Sequence, residues 1–203
     1  MTASSKLLVQ KYGGSSVGSL ERIAAVVARI ARDRAAGFDV VAVVSAMGDT
    51  TDDLLALASS VTGGALPNAR EQDALLATGE IQSAALLAMA LIARGTDAIS
   101  LSGAQAGISA DGTYGKGRIA GIEPKRVRAE LDAGRVVIVA GFQGVSDGSE
   151  TTTLGRGGSD TSAVALAAAL GADRCQIFTD VRGVYTADPR AVPAARQLSV
   201  VGY

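Results

Sequence analysis

The chain has 203 residues, enough for one α/β domain around a single core and a squeeze for two. Hydrophobic residues make up 48% and charged residues 19%, which excludes a disordered chain, and a formal net charge of -1 offers no broad positive field for a nucleic acid backbone. With no His and a single Cys, Cys175, the chain cannot hold a His-dependent nucleophile pair, a His- or Cys-ligated zinc or an internal disulfide.

Residues 6 to 10 (KLLVQ) read as a strand that ends at Gly13-Gly14, and Ile23, Val26, Val27 and Ile30 recur at helical spacing after Ser19. Gly37 stops that helix, and the β-branched run at 38 to 46 predicts a buried parallel strand. A helix follows from about Thr51, then a loop at 62 to 69. A helical stretch from Ala69 to Ala93 is expected to be interrupted near Thr78-Gly79-Glu80, and 97 to 101 predicts a third strand. The Gly-punctuated segment 104 to 122 reads as a β-hairpin turning at Asp111-Gly112. A helix at 124 to 133, a fourth strand at 135 to 144, a polar loop at 145 to 158, a helix from Asp160 to Leu170 and a fifth strand at 174 to 180 complete the order. Cys175 is expected in the core, and the tail to Tyr203 has no clear periodicity. The alternation predicts a mainly parallel sheet with helices on both faces. The N-terminal apolar run is too short for a signal peptide, and no stretch reaches the roughly 18 apolar residues of a membrane span. A cytoplasmic location with neither a membrane nor a nucleic acid partner is expected.

Sites in such sheets lie beyond the carboxyl ends of the strands. Lys11-Tyr12-Gly13-Gly14-Ser15-Ser16 follows the first strand, Ser45 to Thr51 the second, Gly141 to Gly144 the fourth and Thr179-Asp180 the fifth. Gly-Gly-Ser-Ser entering a helix, with a lysine beside it, suits a polyphosphate, and it equally suits a plain tight turn. Gly155-Arg156-Gly157-Gly158-Ser159-Asp160 adds a guanidinium able to grip a carboxylate or phosphate, and a carboxylate that is either a helix cap or part of a site. Neither glycine run matches the P-loop or dinucleotide signatures. Glu80 has a second reading as a solvated helix residue, Tyr185 as core and Ser45 as a turn residue. Lys116, Arg118, Lys125, Arg126 and Arg128 read as a solvated basic face.

Taken together, KYGGSSV at 11 to 17, VVSAMGDTTD at 43 to 52, TGE at 78 to 80, GFQGV at 141 to 145, TTLGRGGSDTSAVALAAAL at 152 to 170 and TDVRGVYTADPR at 179 to 190 resemble the catalytic domain of the aspartate kinases, within the amino acid kinase family. The resemblance covers essentially the whole chain. It implies a three-layer αβα sandwich that transfers the γ-phosphoryl of MgATP to the β-carboxylate of L-aspartate, with ATP and Mg²⁺ required. It further implies that Lys11 and Asp160 are catalytic. Lys11, Tyr12, Gly13, Gly14, Ser15, Thr179, Asp180, Tyr185, Asp188 and Arg190 would bind ATP, and Ser45, Thr51, Glu80, Arg156 and Asp160 the amino acid. No residue is assigned as a metal ligand. Such a reaction needs positioning and charge stabilisation more than covalent help, and so requires neither His nor Cys. Arg182 departs from the family's usual Asp, and the family usually continues past the position of Tyr203 into the rest of the kinase domain and two ACT domains. Residues 1 to 203 are therefore expected to be one catalytic domain, C-terminally incomplete, with no ACT domain present. The chain would pair with itself as a homo-oligomer or with those regulatory segments. Another amino acid kinase family phosphotransferase, or a non-catalytic binding module, is the alternative.

Overall fold

The computed structural model describes residues 6–146, 149–155, 157–180 and 183–202. β1 (Lys6–Tyr12) and β2 (Phe38–Val44) pair in parallel from Lys6 opposite Phe38 to Tyr12 opposite Val44. β2 pairs with β6 (Val136–Ala140), β6 with β3 (Ala98–Leu101), and β1 with β9 (Arg174–Phe178), giving a five-stranded parallel sheet in the order β3-β6-β2-β1-β9. Parallel strands need crossovers, and the helices that supply them cover both faces.

Because side chains alternate along a strand, each strand feeds two cores. Tyr12, Val40, Ala42, Val44, Val136 and Ile138 pack under α2 (Leu20–Ala35) and α4 (Ala69–Ile92). Leu7, Val9, Val41, Val43, Val137 and Val139 pack under α5 (Lys125–Asp132) and α6 (Gly158–Leu170). This is the expected three-layer αβα sandwich. Two short connecting helices, α1 (Gly14–Val17) and α3 (Thr50–Val61), leave the ends of β1 and β2. A second, four-stranded sheet in the order β5-β4-β7-β8 is built from β4 (Ile108–Ala110), β5 (Ile119–Ile122), β7 (Gln143–Val145) and β8 (Thr151–Thr153).

Several expectations change here. The run at 135 to 144 is not one strand: it breaks at Gly141-Phe142, where Phe142 takes φ 65°, and the chain turns from the large sheet into the small one. The polar loop after it contains β8. The hairpin at 104 to 122 forms between β4 and β5, but it closes through residues 111 to 118 rather than a two-residue turn, with Asp111 Oδ1 accepting from Thr113 N and Arg118 N. α4 runs without interruption through Thr78-Gly79-Glu80. A Cβ on Gly79 would stand 2.9 Å from Ala46 Cβ, so the glycine is there for close approach of the loop after β2, not to end the helix. α4 is long and apolar enough to cross a membrane by length and composition, yet half of its apolar window is buried against β3, β6 and α2. Cys175 is exposed, since β9 is an edge strand with β1 as its only strand neighbour among the described residues.

Candidate active site

The C-terminal ends of β1, β2 and β6 open onto a cleft of about 310 Å³ lined by Lys11, Gly14, Ser45, Thr51, Glu80 and Asp160, together with Ala46, Gly48, Phe142 and Gly157 to Ser159. Strand alternation decides what enters it. Lys11 shares a face with Leu7 and Val9, so its stem runs toward α6, and its Nζ meets Asp160 Oδ1 at 2.7 Å. Asp160 stands in the first turn of α6, where a carboxylate also favours the helix dipole. Its side chain is half exposed while that of Lys11 is 12% exposed, so the pair is reachable from solvent on the acid's side.

Two loops are tied together at the floor. Gly48 N donates to Gly14 O at 3.2 Å, and Ser45 N to Tyr12 O at 3.1 Å. A Cβ on Gly14 would lie 2.6 Å from Ala46 O, a backbone atom that cannot swing away, so this approach requires glycine. As the first residues of α1, Gly14 and Ser15 carry backbone N–H groups that no preceding helical turn can satisfy.

Glu80 enters from α4 and is 3% exposed. Its Oε1 accepts from Ala46 N at 3.0 Å, while Oε2 has no hydrogen-bond partner among the described residues. Burial pushes the Glu80 carboxyl up to about 7, against the opposing pull of the Ala46 N–H. A buried carboxyl at the lining of a cleft, with one acceptor unused among the described residues, is suited to a cationic group brought by a ligand. Phe142 also lines the cleft. Its strained backbone is held by donation of its N–H to Ser162 Oγ at 3.3 Å and by its carbonyl accepting from Leu154 N at 2.7 Å.

The structure therefore gathers Lys11, Gly14, Ser45, Thr51, Glu80 and Asp160 in one place, while Gly13 and Ser15, their neighbours in the chain, are not among the lining residues. It separates other residues from them. The Tyr12 ring lies on the opposite face of the sheet, 1% exposed, stacked on Phe178 with centroids 5.0 Å apart and donating its hydroxyl to Gln10 Oε1. Burial raises the phenol well above its ordinary range. Thr179 lines a second cleft of about 290 Å³ with Tyr12, Ser16, Arg22, Arg29 and Phe178. Gly13 N donates to Phe178 O at 3.4 Å, which sets Thr179 and Asp180 just beyond the end of β1. Tyr185, Asp188 and Arg190 lie in the tail, where Tyr185 bridges Gln197 and Asp188 Oδ1 accepts from Arg190 N at 2.9 Å. Arg156 and Arg182 fall outside the described residues. Phe142 and Ser159 are cleft residues that the sequence reading did not assign, although both sit inside glycine-flanked segments that it singled out. Among the described residues no three carboxylate or thiol groups converge to hold a metal ion.

A glycine-floored cleft beyond the carboxyl ends of a parallel sheet is where ligands bind in open α/β folds. The profile of the amino acid kinase family matches residues 6–203, and the chain belongs to that family. It is 58% identical over 198 residues to an aspartokinase of Mycolicibacterium smegmatis, covering 97% of this chain and 47% of that protein. An aspartokinase of Geobacillus stearothermophilus is 55% identical over 197 residues, covering 97% and 48%. The chain thus spans about half the length of the curated relatives it matches. Among solved structures, aspartate kinase from Synechocystis superposes with a TM-score of 0.79 at 52% identity, covering 94% of this chain and 31% of that one. Escherichia coli aspartokinase III, in complex with aspartate and ADP, gives 0.84 at 26% identity, covering 95% and 53%.

Proposed function

We propose that this chain transfers the γ-phosphoryl group of MgATP to the side-chain carboxylate of L-aspartate. The carrying observation is the convergence of Lys11, Asp160, Ser45, Thr51 and Glu80 on one cleft above the ends of β1 and β2. A carboxylate oxygen of the acceptor forms a bond to the γ-phosphorus as the bond to the bridging oxygen breaks, and ADP leaves. The acceptor is already ionised at neutral pH, so no residue has to remove a proton from it.

Lys11 carries the charge needed at the transferring phosphoryl. Its pairing with Asp160 holds the ammonium over the cleft until phosphate oxygens compete for it. The backbone N–H groups of Gly14 and Ser15 are assigned to the same oxygens, on the strength of the family resemblance and the place of Gly14 in the cleft lining. Glu80 receives the α-ammonium of aspartate on its unpartnered Oε2, while Ser45 and Thr51 offer hydroxyls near the acceptor side chain. Arg156, two residues before α6 in the sequence, is assigned to the α-carboxylate on the strength of the family resemblance. Thr179, Asp180, Tyr185, Asp188 and Arg190 are assigned to the nucleotide, on the strength of the family resemblance and the position of the first two beyond β1.

Mg²⁺ fits this cleft as a passenger on the ATP phosphates, because it needs only one or two carboxylates besides them and Asp160 stands half exposed at the cleft. When bound, it neutralises charge on the β- and γ-phosphates. With ATP as donor the reaction belongs in the cytoplasm, and the whole protein is proposed to work as an oligomer. The test is ADP release with L-aspartate, measured on this chain and on the chain joined to the C-terminal half of the M. smegmatis relative. Release that depends on L-aspartate supports the reading, and release that is indifferent to aspartate in both proteins refutes it.

A further inference from the structure

Asp73 lies on α4, 1% exposed, and its carboxylate is held entirely by groups from outside its own helix. Gly115 N donates to both oxygens at 3.0 Å, Thr153 N to Oδ2 at 2.7 Å and Thr153 Oγ1 to Oδ1 at 2.7 Å. Among the described residues it has no cationic partner. A buried carboxylate is tolerated without one only where N–H and O–H donors replace water, so these donors and this acid specify one another.

What Asp73 holds leads directly to the cleft. Thr153 ends β8, and the next residue, Leu154, donates its N–H to Phe142 O at 2.7 Å. Phe142 is a wall of the cleft, and two residues past Gly155 the chain enters the turn that starts α6 and presents Asp160. On the helix side, Asp73, Ala77 and Glu80 follow at i, i+4 and i+7 and share one face. Ala77 O accepts from Gln143 Nε2 at 2.9 Å in β7, and Glu80 accepts from Ala46 N. The face of α4 that delivers Glu80 is thus the face that fastens the small sheet.

We propose that Asp73 is a positioning residue for the acceptor: by holding Thr153 and Gly115 it sets the Phe142 wall and the turn into α6 at a fixed place relative to Glu80, without touching either substrate. This rests on the phosphotransfer reading and names what determines how tightly that site grips the amino acid.

Asp73→Asn keeps the volume but leaves one acceptor oxygen and turns an NH₂ toward N–H donors. The KM for aspartate is expected to rise at least tenfold, with the KM for ATP within twofold and kcat within threefold. By hydrogen exchange, the amides of Phe142 and Leu154 should open at least tenfold faster, while those of Leu87 and Leu91, farther along α4, keep wild-type rates. Thr153→Val should reproduce the pattern more weakly and Thr153→Ser restore it, and this pair decides the matter if Asp73→Asn does not fold. A fall in kcat at constant KM means lost folded protein and overturns the proposal, as does faster exchange with an unchanged aspartate KM. If the wild-type chain shows no aspartate-dependent ADP release, the phosphotransfer reading is what has failed. Exchange then decides the positioning role, with unchanged Phe142 and Leu154 rates in Asp73→Asn refuting it.

Discussion

Replacing Glu80 by glutamine separates what this residue does for the fold from what it does for the acceptor. Its carboxyl is raised from 4.5 to about 7, chiefly by burial. Between those two pH values the unfolded chain has lost this proton while the folded chain keeps it, so folding stability falls as pH rises through the window and levels off above about 7. Above pH 7 the folded chain bears a cost on the order of 3 kcal/mol for ionising the group in place. Glutamine has nearly the same shape, retains an acceptor for the Ala46 N–H and never ionises. Glu80→Gln and the wild type should therefore melt together at about pH 5, with the variant up to roughly 6–12 °C more stable at pH 8, taking about 2–4 °C per kcal/mol for a chain of this size. Thermal unfolding followed by circular dichroism at the two pH values reads this directly. In the same variant the KM for aspartate should rise at least tenfold with that for ATP unchanged, because a neutral amide cannot pair with an ammonium group. In the wild type, that KM should fall as pH rises through about 7. A stability difference that is the same at pH 5 and pH 8, or a variant less stable at pH 8, would refute the reasoning.

Lys11→Ala should lower turnover by roughly 10²–10³-fold, the effect of losing one donor to a developing oxyanion, while stability changes by no more than about 1 kcal/mol because Asp160 is half exposed and can be hydrated; steady-state ADP release beside urea unfolding checks both halves. Gly14→Ala should cost about 1–3 kcal/mol and disturb the cleft floor, since the new Cβ would stand 2.6 Å from Ala46 O; a fully stable, fully active variant would contradict the close approach. Ile177, 40% exposed on β9, should promote association through that strand, and Ile177→Lys should reduce light scattering without altering the melting temperature.

Much of this fold was legible because periodicity alone marks buried parallel strands and amphipathic helices. The strand over 38 to 46 and the helix after Ser19 need no tertiary information. Where the reading went astray, a tertiary demand had overridden a local signal. Gly79 looks like a helix breaker until Ala46 is placed 2.9 Å from its absent Cβ. The run at 135 to 144 carries an unbroken apolar core from Val136 to Phe142, so nothing along the chain announces that Phe142 takes φ 65° and hands the strand to a second sheet. β8 was hidden because its sequence, Thr-Thr-Thr, lies within a polar segment. Its buried Thr153 is satisfied by Asp73, 80 residues away on α4, a distance no local pattern can express.

The candidate site divides along the same line. Residues at strand ends and helix starts were identifiable from order and composition, because in a parallel sheet those positions share one edge. What linear reading could not supply is the side of the sheet on which each stands. Lys11 and Tyr12 are adjacent in a motif that reads as one nucleotide-binding unit, yet pleating sends the lysine to Asp160 under α6 and the tyrosine to Phe178 under α2. The motif is therefore two devices joined by a peptide bond. Its lysine faces the cleft while its tyrosine, stacked on Phe178 at 5.0 Å and 1% exposed, packs the end of β1 against β9 on the opposite face. Asp73 and Glu80 show the same economy on α4, one acid holding the wall and the other facing the space that the wall encloses.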